Sequence, residues 1–285
     1  MARAIALARR GLGRTSPNPP VGALVVKRGR IVGEGWHRRA GGPHAEVIAL
    51  RQAGAAARGA TLYLTLEPCT YHGRTPPCAP AVIVSGVRRV VVGVGDPNPR
   101  VRGRGVRALR AAGIDVTTGV LAEEAGEVSA WFRHFIVRCR PYVILKLAAS
   151  LDGRIATARG ESRWMSGATA RCWVHALRNQ VDAVMVGAGT VIADDPALTC
   201  RVRGGRDPVR VIVDGLLRVS PRARVFRQRS AAPTLVATTP VASAGRRRAL
   251  VRAGAEIVVL PGRTGRLRIV ALLQALAARG IVSVL

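Results

Sequence analysis

Residues 62–83 read LYLTLEPCTYHGRTPPCAPAVI, and the punctuation of this stretch sets the reading of the rest. An apolar, β-rich run stops at Glu67-Pro68. Two cysteines follow, Cys69 and Cys78, with eight residues between them. From Cys78 the sequence CAPAVIVSG patterns as a short helix closed by Gly86. Strand, cysteine-bearing loop and helix together form one repeat of a layered α/β fold, and the alternation continues in both directions.

Upstream, residues 1–12 pattern as a short helix and VGALVVKRGRIVGEGWH as two strands about a turn at Lys27–Arg30. PHAEVIALRQAG reads as a helix opening at Pro43 and ending near Gly54. Downstream, RRVVVGVG reads as a buried strand, GRGVRALRAAG as a helix, GIDVTTGV as a strand and AEEAGEVSAWFRHFIVRCR as one longer helix. The pattern breaks at Arg140-Pro141 and then restarts. YVILKLAAS, VDAVMVGAG, PVRVIVDG, PTLVATT, EIVVLPG and IVSVL read as strands; SGATARCWVHALRNQ, AGRRRALVRAG and LRIVALLQALAARG read as helices. The expectation is an α/β chain of two domains, residues 1–140 and 141–285, with largely parallel strand pairing. GRGVRA (103–108) fits a dinucleotide fingerprint in letters only, because DPNPRVR separates it from its strand.

The bulk numbers agree. A length of 285 residues suits two domains, and 48% hydrophobic residues can fill their cores. Five cysteines at irregular spacing do not outline a disulfide framework, which points to a reducing compartment. The N-terminus carries Arg3, Arg9 and Arg10 through its apolar part and reads as an ordinary first helix, not a signal. No run approaches the ~20 apolar residues of a membrane span. A soluble, cytoplasmic protein is expected, and a homo-oligomer is compatible with these features. The formal charge of +29 raises a nucleic-acid partner. However, only two of the 45 basic residues are lysines, the arginines are scattered, and aromatics make up 4% of the chain. That distribution suits solvated faces better than a base-stacking groove.

Two thiolates alone do not make a zinc site. Structural zinc wants four protein ligands and catalytic zinc three with an open position. His44, in PHAEV, is the third candidate, and Glu46 stands two positions on. His-x-Glu followed by Pro-Cys and a second Cys is the signature of zinc-dependent nucleobase deaminases. The chemistry suits those residue types. Zinc held by two thiolates and an imidazole lowers the pKa of its water to about 7. A carboxylate beside the metal, but not on it, can move the proton to the leaving amine. Cys78 opens a helix, whose positive end favours thiolate. The departure from the general signature is the spacing between the cysteines, eight residues instead of two.

That departure narrows the field. EPCTYHGRTPPC, with SPNPPVGALVV and GEGWHRRAGGPHAEVIAL before it and GVGDPNPRVRGRGV after, resembles the bifunctional riboflavin-biosynthesis deaminase/reductase family. KLAASLDGRIATARGESRWMSG and GAGTVIADDPALTCR resemble that family's reductase half. The resemblance implies a cytidine-deaminase-like three-layer domain followed by a dihydrofolate-reductase-like α/β domain. It implies zinc-dependent hydrolysis of an amino group from a diaminopyrimidinone carrying ribose 5-phosphate. NADPH-dependent reduction of the ribose to a ribityl chain would follow. Zinc would sit on His44, Cys69 and Cys78, with Glu46 as proton shuttle and Asn18, His37, His72, Asp96 and Asn98 toward substrate. In the second domain Ala148, Trp164, Thr190 and Asp194 would line the NADPH site, and Ser162, Arg178, Leu198 and Arg201 would face the sugar phosphate. An arginine fork pairs well with phosphate oxygens. Lys146 stands out because lysine is rare here, and Asp152 in SLDG reads as a turn residue. His134 and His175 read as packing or surface residues, and Cys139, Cys172 and Cys200 as inert.

The family's reductase continues past the strand that matches IVSVL. A sheet ending at Leu285 is therefore expected to leave an open edge and to lack backbone N–H groups for cofactor phosphate, giving a truncated, weak reductase. Two other readings compete: a nucleic-acid-binding or editing deaminase, recognisable by steep salt dependence, and a structural zinc module, which needs a fourth ligand such as His72.

Overall fold

In GALVVK alternate residues turn to opposite faces of a strand. Ala23 and Val25 join a cluster with Leu62, Leu64, Val90, Val92 and Val116 on one face, while Leu24 packs with Ala4 and Leu7 on the other. The computed structural model describes residues 1–162 and 165–285. The chain divides into two units, Met1–Arg140 and Pro141–Leu285.

The first unit runs α1 (Ala2–Arg9), β1 (Gly22–Lys27), β2 (Arg30–Trp36), α2 (Ala45–Ala53), β3 (Thr61–Leu66), α3 (Cys78–Val84), β4 (Arg89–Val94), α4 (Arg104–Ala111), β5 (Asp115–Thr118), α5 (Ala122–Val128) and α6 (Ala130–Arg138). Its sheet has the order β2-β1-β3-β4-β5, with β1 antiparallel to β2 and β3 and the remaining pairs parallel. Ala45, Ala49 and Leu50 of α2, Val82 of α3 and Leu109 of α4 cover one face. Helices α1 and α5 meet through Ile5, Ala8, Ala125 and Val128. The result is three layers. Leu62 and Leu64 are fully enclosed, each worth about 1.5–3 kcal/mol of transfer from water. Two glycines set how closely α2 rides on β2. A Cβ on Gly33 would lie 2.1 Å from the Ala49 carbonyl oxygen, and one on Gly35 2.2 Å from that of Ala45. The first turn of α2 is thereby held directly against the sheet.

The second unit comprises β6 (Tyr142–Val143), α7 (Ala168–Gln180), β7 (Ala183–Gly187), α8 (Ala188–Asp194), β8 (Val209–Val213), β9 (Thr234–Thr238), α9 (Ala244–Arg252), β10 (Ala255–Val259), the hairpin β11 (Gly262–Arg263) and β12 (Arg266–Leu267), α10 (Ile269–Ala277) and β13 (Ser283–Val284). Six strands form a parallel sheet ordered β10-β9-β8-β7-β13-β6. Leu272 and Leu276 of α10 pack on Val211, Leu235, Ala237 and Val258. Buried Asp182 anchors β13: its Oδ2 accepts the N–H groups of Val282 (2.8 Å) and Ser283 (3.1 Å).

Several expectations change. The long helix over 122–140 is two helices, because Ser129 turns its hydroxyl back to the carbonyls of Ala125 (3.1 Å) and Gly126 (3.3 Å). A serine that bonds backward in this way competes with the helical ladder. The strand read in YVILKLAAS is only Tyr142–Val143, since β13 offers just Ser283 and Val284 as ladder partners. Helix α8 has no counterpart in the sequence reading. The sheet does not end openly at β13, which lies between β7 and β6; the edge there is the two-residue β6.

Candidate active site

Strands β3 and β4 are parallel, so their carboxyl ends open on the same side, where α/β sheets gather ligands. Cys69 follows β3 and Asp96 follows β4. His44 is the N-cap of α2, with extended backbone (φ −75°, ψ 164°), and Glu46 lies in that helix's first turn. Cys78 opens α3. Its N–H donates to the Cys69 carbonyl at 3.1 Å and lies 3.3 Å from the Cys69 sulfur. The start of α2, the loop after β3 and the start of α3 thus meet at one point.

His44 Nδ1 lies 3.0 Å from Cys78 Sγ and 3.7 Å from Cys69 Sγ. The three ligand atoms all fall within 4.8 Å of one another. Among the described residues no other His, Cys, Asp or Glu joins this cluster. His72, the candidate fourth ligand, is exposed and bonds its own neighbour's carbonyl, Gly73 O, at 3.1 Å. Two sulfurs, one imidazole nitrogen and no fourth donor fit zinc with an open position, and do not fit a closed structural site.

The side chains shift one another's protonation. The Cys78 thiol and the His44 ring both bond Cys69 and hold it down at about 4, while the same contact with Cys69 and burial push Cys78 up. The bond to Cys69 raises His44. Glu46 is 4% exposed, and burial raises it. Its Oε2 is buried without a hydrogen-bond partner. Such an oxygen costs about 1–3 kcal/mol, an expense tolerated where a reacting group uses the atom.

A pocket opens over this cluster, lined among others by Asn18, His37, Glu46, Tyr71, Arg74 and Asp96. His37 is buried. Its Nδ1 faces the Pro43 carbonyl at 3.0 Å and so must donate; its Nε2 then accepts from Asn18 Nδ2 at 3.1 Å. Burial also lowers its pKa, which keeps the ring neutral. With both nitrogens committed, His37 orients Asn18. Asn98 and His72 are not among the lining residues. Asn98 supports the wall instead: its Nδ2 reaches Tyr71 Oη at 3.4 Å, and Arg100 stacks on the Tyr71 ring at 4.0 Å.

Sequence reasoning missed Glu67, Tyr71, Arg74, Thr75 and Phe132, all in the pocket lining. Their signal was position, since four of the five lie in or beside the loop joining the two cysteines. Glu67 is 4% exposed and ties the pocket together. Its Oε2 accepts the N–H groups of Asp96 (3.3 Å) and Gly103 (3.0 Å), and its Oε1 that of Val106 (3.1 Å). Gly105 lets α4 approach, because a Cβ there would lie 2.2 Å from the Pro68 carbonyl oxygen.

Asp96 is 7% exposed, and burial lifts it from the usual aspartate range to about 6. Its folded value exceeds its unfolded one. Between about pH 4 and 6 the unfolded chain therefore releases this proton first, and stability falls as pH rises, by about 3 kcal/mol in total. Asp96→Asn should abolish that slope and be the more stable protein at pH 7. Urea unfolding of both proteins at pH 4 and pH 7 checks this; a variant less stable than wild type at pH 7 contradicts it.

In the second unit, Thr190 and Asp194 lie one turn apart on α8, which leaves the carboxyl end of β7. Beside β7 the strand order reverses, to β13 on one side and β8 on the other. Arg178 Nη1 donates to the Thr199 carbonyl at 3.0 Å. Burial and then the charge of Arg201 lower Arg178, and burial and then both arginines lower His175, so two guanidinium charges share this corner. Ala148 and Ser162 are half-buried in irregular segments, and Arg201 is exposed. Leu198 is buried with φ 57°. Lys146 is exposed, and Asp152 sits in an exposed turn, 3.8 Å from Arg154. Trp164 lies outside the described residues. All five cysteines are free, and no described helix is long and apolar enough to cross a membrane.

Comparison with known proteins matches both halves. Residues 1–94 match the cytidine and deoxycytidylate deaminase zinc-binding region, and residues 141–285 the RibD C-terminal domain. The riboflavin biosynthesis protein RibD of Aquifex aeolicus is 49% identical over 263 residues, which is 92% of this chain and 73% of that protein. RibD of Bacillus amyloliquefaciens is 47% identical over 285 residues, all of this chain and 76% of the relative. The crystal structure of a diaminohydroxyphosphoribosylaminopyrimidine deaminase/5-amino-6-(5-phosphoribosylamino)uracil reductase from Thermotoga maritima superposes with TM-score 0.87 at 46% identity, covering 100% of this chain and 78% of that one. The expected truncation is not supported by these matches. A shared zinc-binding region, a shared second domain and this depth of identity lead to one conclusion: the chain belongs to the RibD family of riboflavin-biosynthesis proteins, with a zinc-binding deaminase domain followed by a reductase domain.

Proposed function

We propose that the first unit hydrolyses the ring amino group of a diaminopyrimidinone carrying ribose 5-phosphate. The observation that carries this reading is the meeting of His44, Cys69 and Cys78 beside a buried carboxylate, Glu46, whose Oε2 has no partner. These three residues would hold zinc, which supplies the Lewis acidity that makes water a nucleophile near neutral pH. The chain's own groups do the rest. Glu46 takes one proton from the attacking water and gives it to the ring nitrogen, then takes the second from the newly added hydroxyl and gives it to the departing amine, so that ammonia leaves and a ring carbonyl remains. Burial raises its pKa toward the range in which one group can both accept and give a proton. His37 holds the Asn18 amide in one orientation against the pyrimidine. Arg74, in the pocket lining, offers a guanidinium to the 5′-phosphate.

In the second unit, NADPH reduces the ribosyl group of the deaminated product to a ribityl chain. Thr190 and Asp194 of α8 contact the nucleotide, supported by the reversal of strand order beside β7; Ala148 joins them by family resemblance alone. Arg178 and Arg201 take the sugar phosphate, supported by the nearness of their two charges; Ser162 and Leu198 join them by family resemblance alone. The partner is thus a small phosphorylated pyrimidine in the cytoplasm, not a polynucleotide.

The test is ammonia release from the diaminopyrimidinone phosphate, coupled to NADPH oxidation followed by absorbance. Ammonia release should stop on chelation and return with added zinc. Release that is indifferent to chelation, or no release from the zinc-loaded protein, overturns the reading.

A further inference from the structure

The eight residues between Cys69 and Cys78 exceed the two of the general deaminase signature, and the extra length folds back on His44. The Gly73 N–H donates to the Thr75 carbonyl at 3.1 Å, closing a tight turn around Arg74. That turn delivers Thr75 Oγ1 to 3.0 Å from His44 Nε2. The opposite nitrogen, Nδ1, faces both sulfurs. A neutral imidazole carries one proton on two nitrogens. If Nδ1 offers its lone pair to a metal, the proton must sit on Nε2 and needs an acceptor there. The second control on the ring is His37, packed edge-on to His44 with centroids 5.0 Å apart and planes at 79°.

We infer that Thr75 is a positioning residue that accepts the Nε2–H of His44, fixing the tautomer and the ring plane so that Nδ1 points at the metal. This rests on reading His44, Cys69 and Cys78 as a zinc site. It gives the long inter-cysteine loop a purpose that the spacing alone did not reveal. Threonine suits the task, because its hydroxyl can accept from the ring while turning its own proton elsewhere, and its branched Cβ limits χ1.

The experiment compares zinc affinity, by chelator competition, for wild type, Thr75→Val and Thr75→Ser. Valine keeps the shape and removes the acceptor; serine keeps the acceptor. Thr75→Val should bind zinc about 10–100-fold more weakly, Thr75→Ser near wild type, and the zinc-free proteins should unfold at the same urea concentration. In the zinc-loaded wild type, ¹⁵N NMR should show the His44 proton on Nε2. Wild-type affinity in Thr75→Val overturns the proposal, as do equal losses in the valine and serine variants, which assign the effect to loop packing. A wild-type protein that takes up no zinc overturns the zinc reading itself, and with it this proposal.

Discussion

Glu46→Gln is expected to lose about 10²–10⁴-fold of the deamination rate while keeping its zinc and its fold. The change is nearly isosteric, so packing around the first turn of α2 stays as it is. What disappears is a carboxyl group beside the cluster able to accept a proton, hold it in a buried place and return it. Glu46 is not among the three residues that form the metal cluster, so zinc stoichiometry should not move. Stability should not fall either. Burial already disfavours the charged carboxylate, and a neutral amide avoids that cost. The loss should appear in kcat with KM little changed, because the missing interaction acts in the transition state. Steady-state kinetics with metal analysis on one preparation provides the check. A variant that turns over normally would assign the proton transfer to another group.

The second large effect is expected from Cys78→Ser. Cys78 is 1% exposed and sits at the start of α3, with its sulfur 3.0 Å from His44 Nδ1. Serine keeps the size and the helix start, but a hydroxyl does not supply the thiolate that zinc takes from cysteine. One sulfur and one imidazole then remain, too few for a stable zinc site. Zinc content and ammonia release should both drop to background. All three ligands come from the first unit, so NADPH oxidation with the deaminated product should continue at the wild-type rate. That second readout separates loss of the metal from collapse of the protein. Loss of both activities together would mean that Cys78 is needed for folding of the whole chain.

The alternation of strands and helices was legible because its signals are local. Alternating Ala23, Leu24 and Val25 mark a strand buried on both faces, and Gly54 and Gly86 mark helix ends without reference to anything distant. The metal cluster was legible because His44, Cys69 and Cys78 are rare residue types in an order that few chemistries require. What escaped depends on long-range geometry. Ser129 breaks a helix through bonds to its own preceding turn, but serine is common inside helices that stay whole. The place of β13 between β7 and β6 is fixed by Asp182, a hundred residues away in sequence. Thr75 is an ordinary loop residue until the fold brings His44 Nε2 to its hydroxyl. His37 shows the reverse case. Its residue type and position suggested a substrate contact, yet both ring nitrogens are taken by protein groups, and only coordinates reveal that commitment.

Central to all of this is a metal held by one nitrogen and two sulfurs, with a coordination position left for water. Zinc K-edge X-ray absorption on the purified wild-type protein tests that most directly. The predicted spectrum has one zinc per chain, two sulfur scatterers at about 2.3 Å and nitrogen or oxygen scatterers at about 2.0–2.1 Å. Zinc surrounded by four sulfurs, zinc with no sulfur at all, or a protein that binds no zinc would contradict the account.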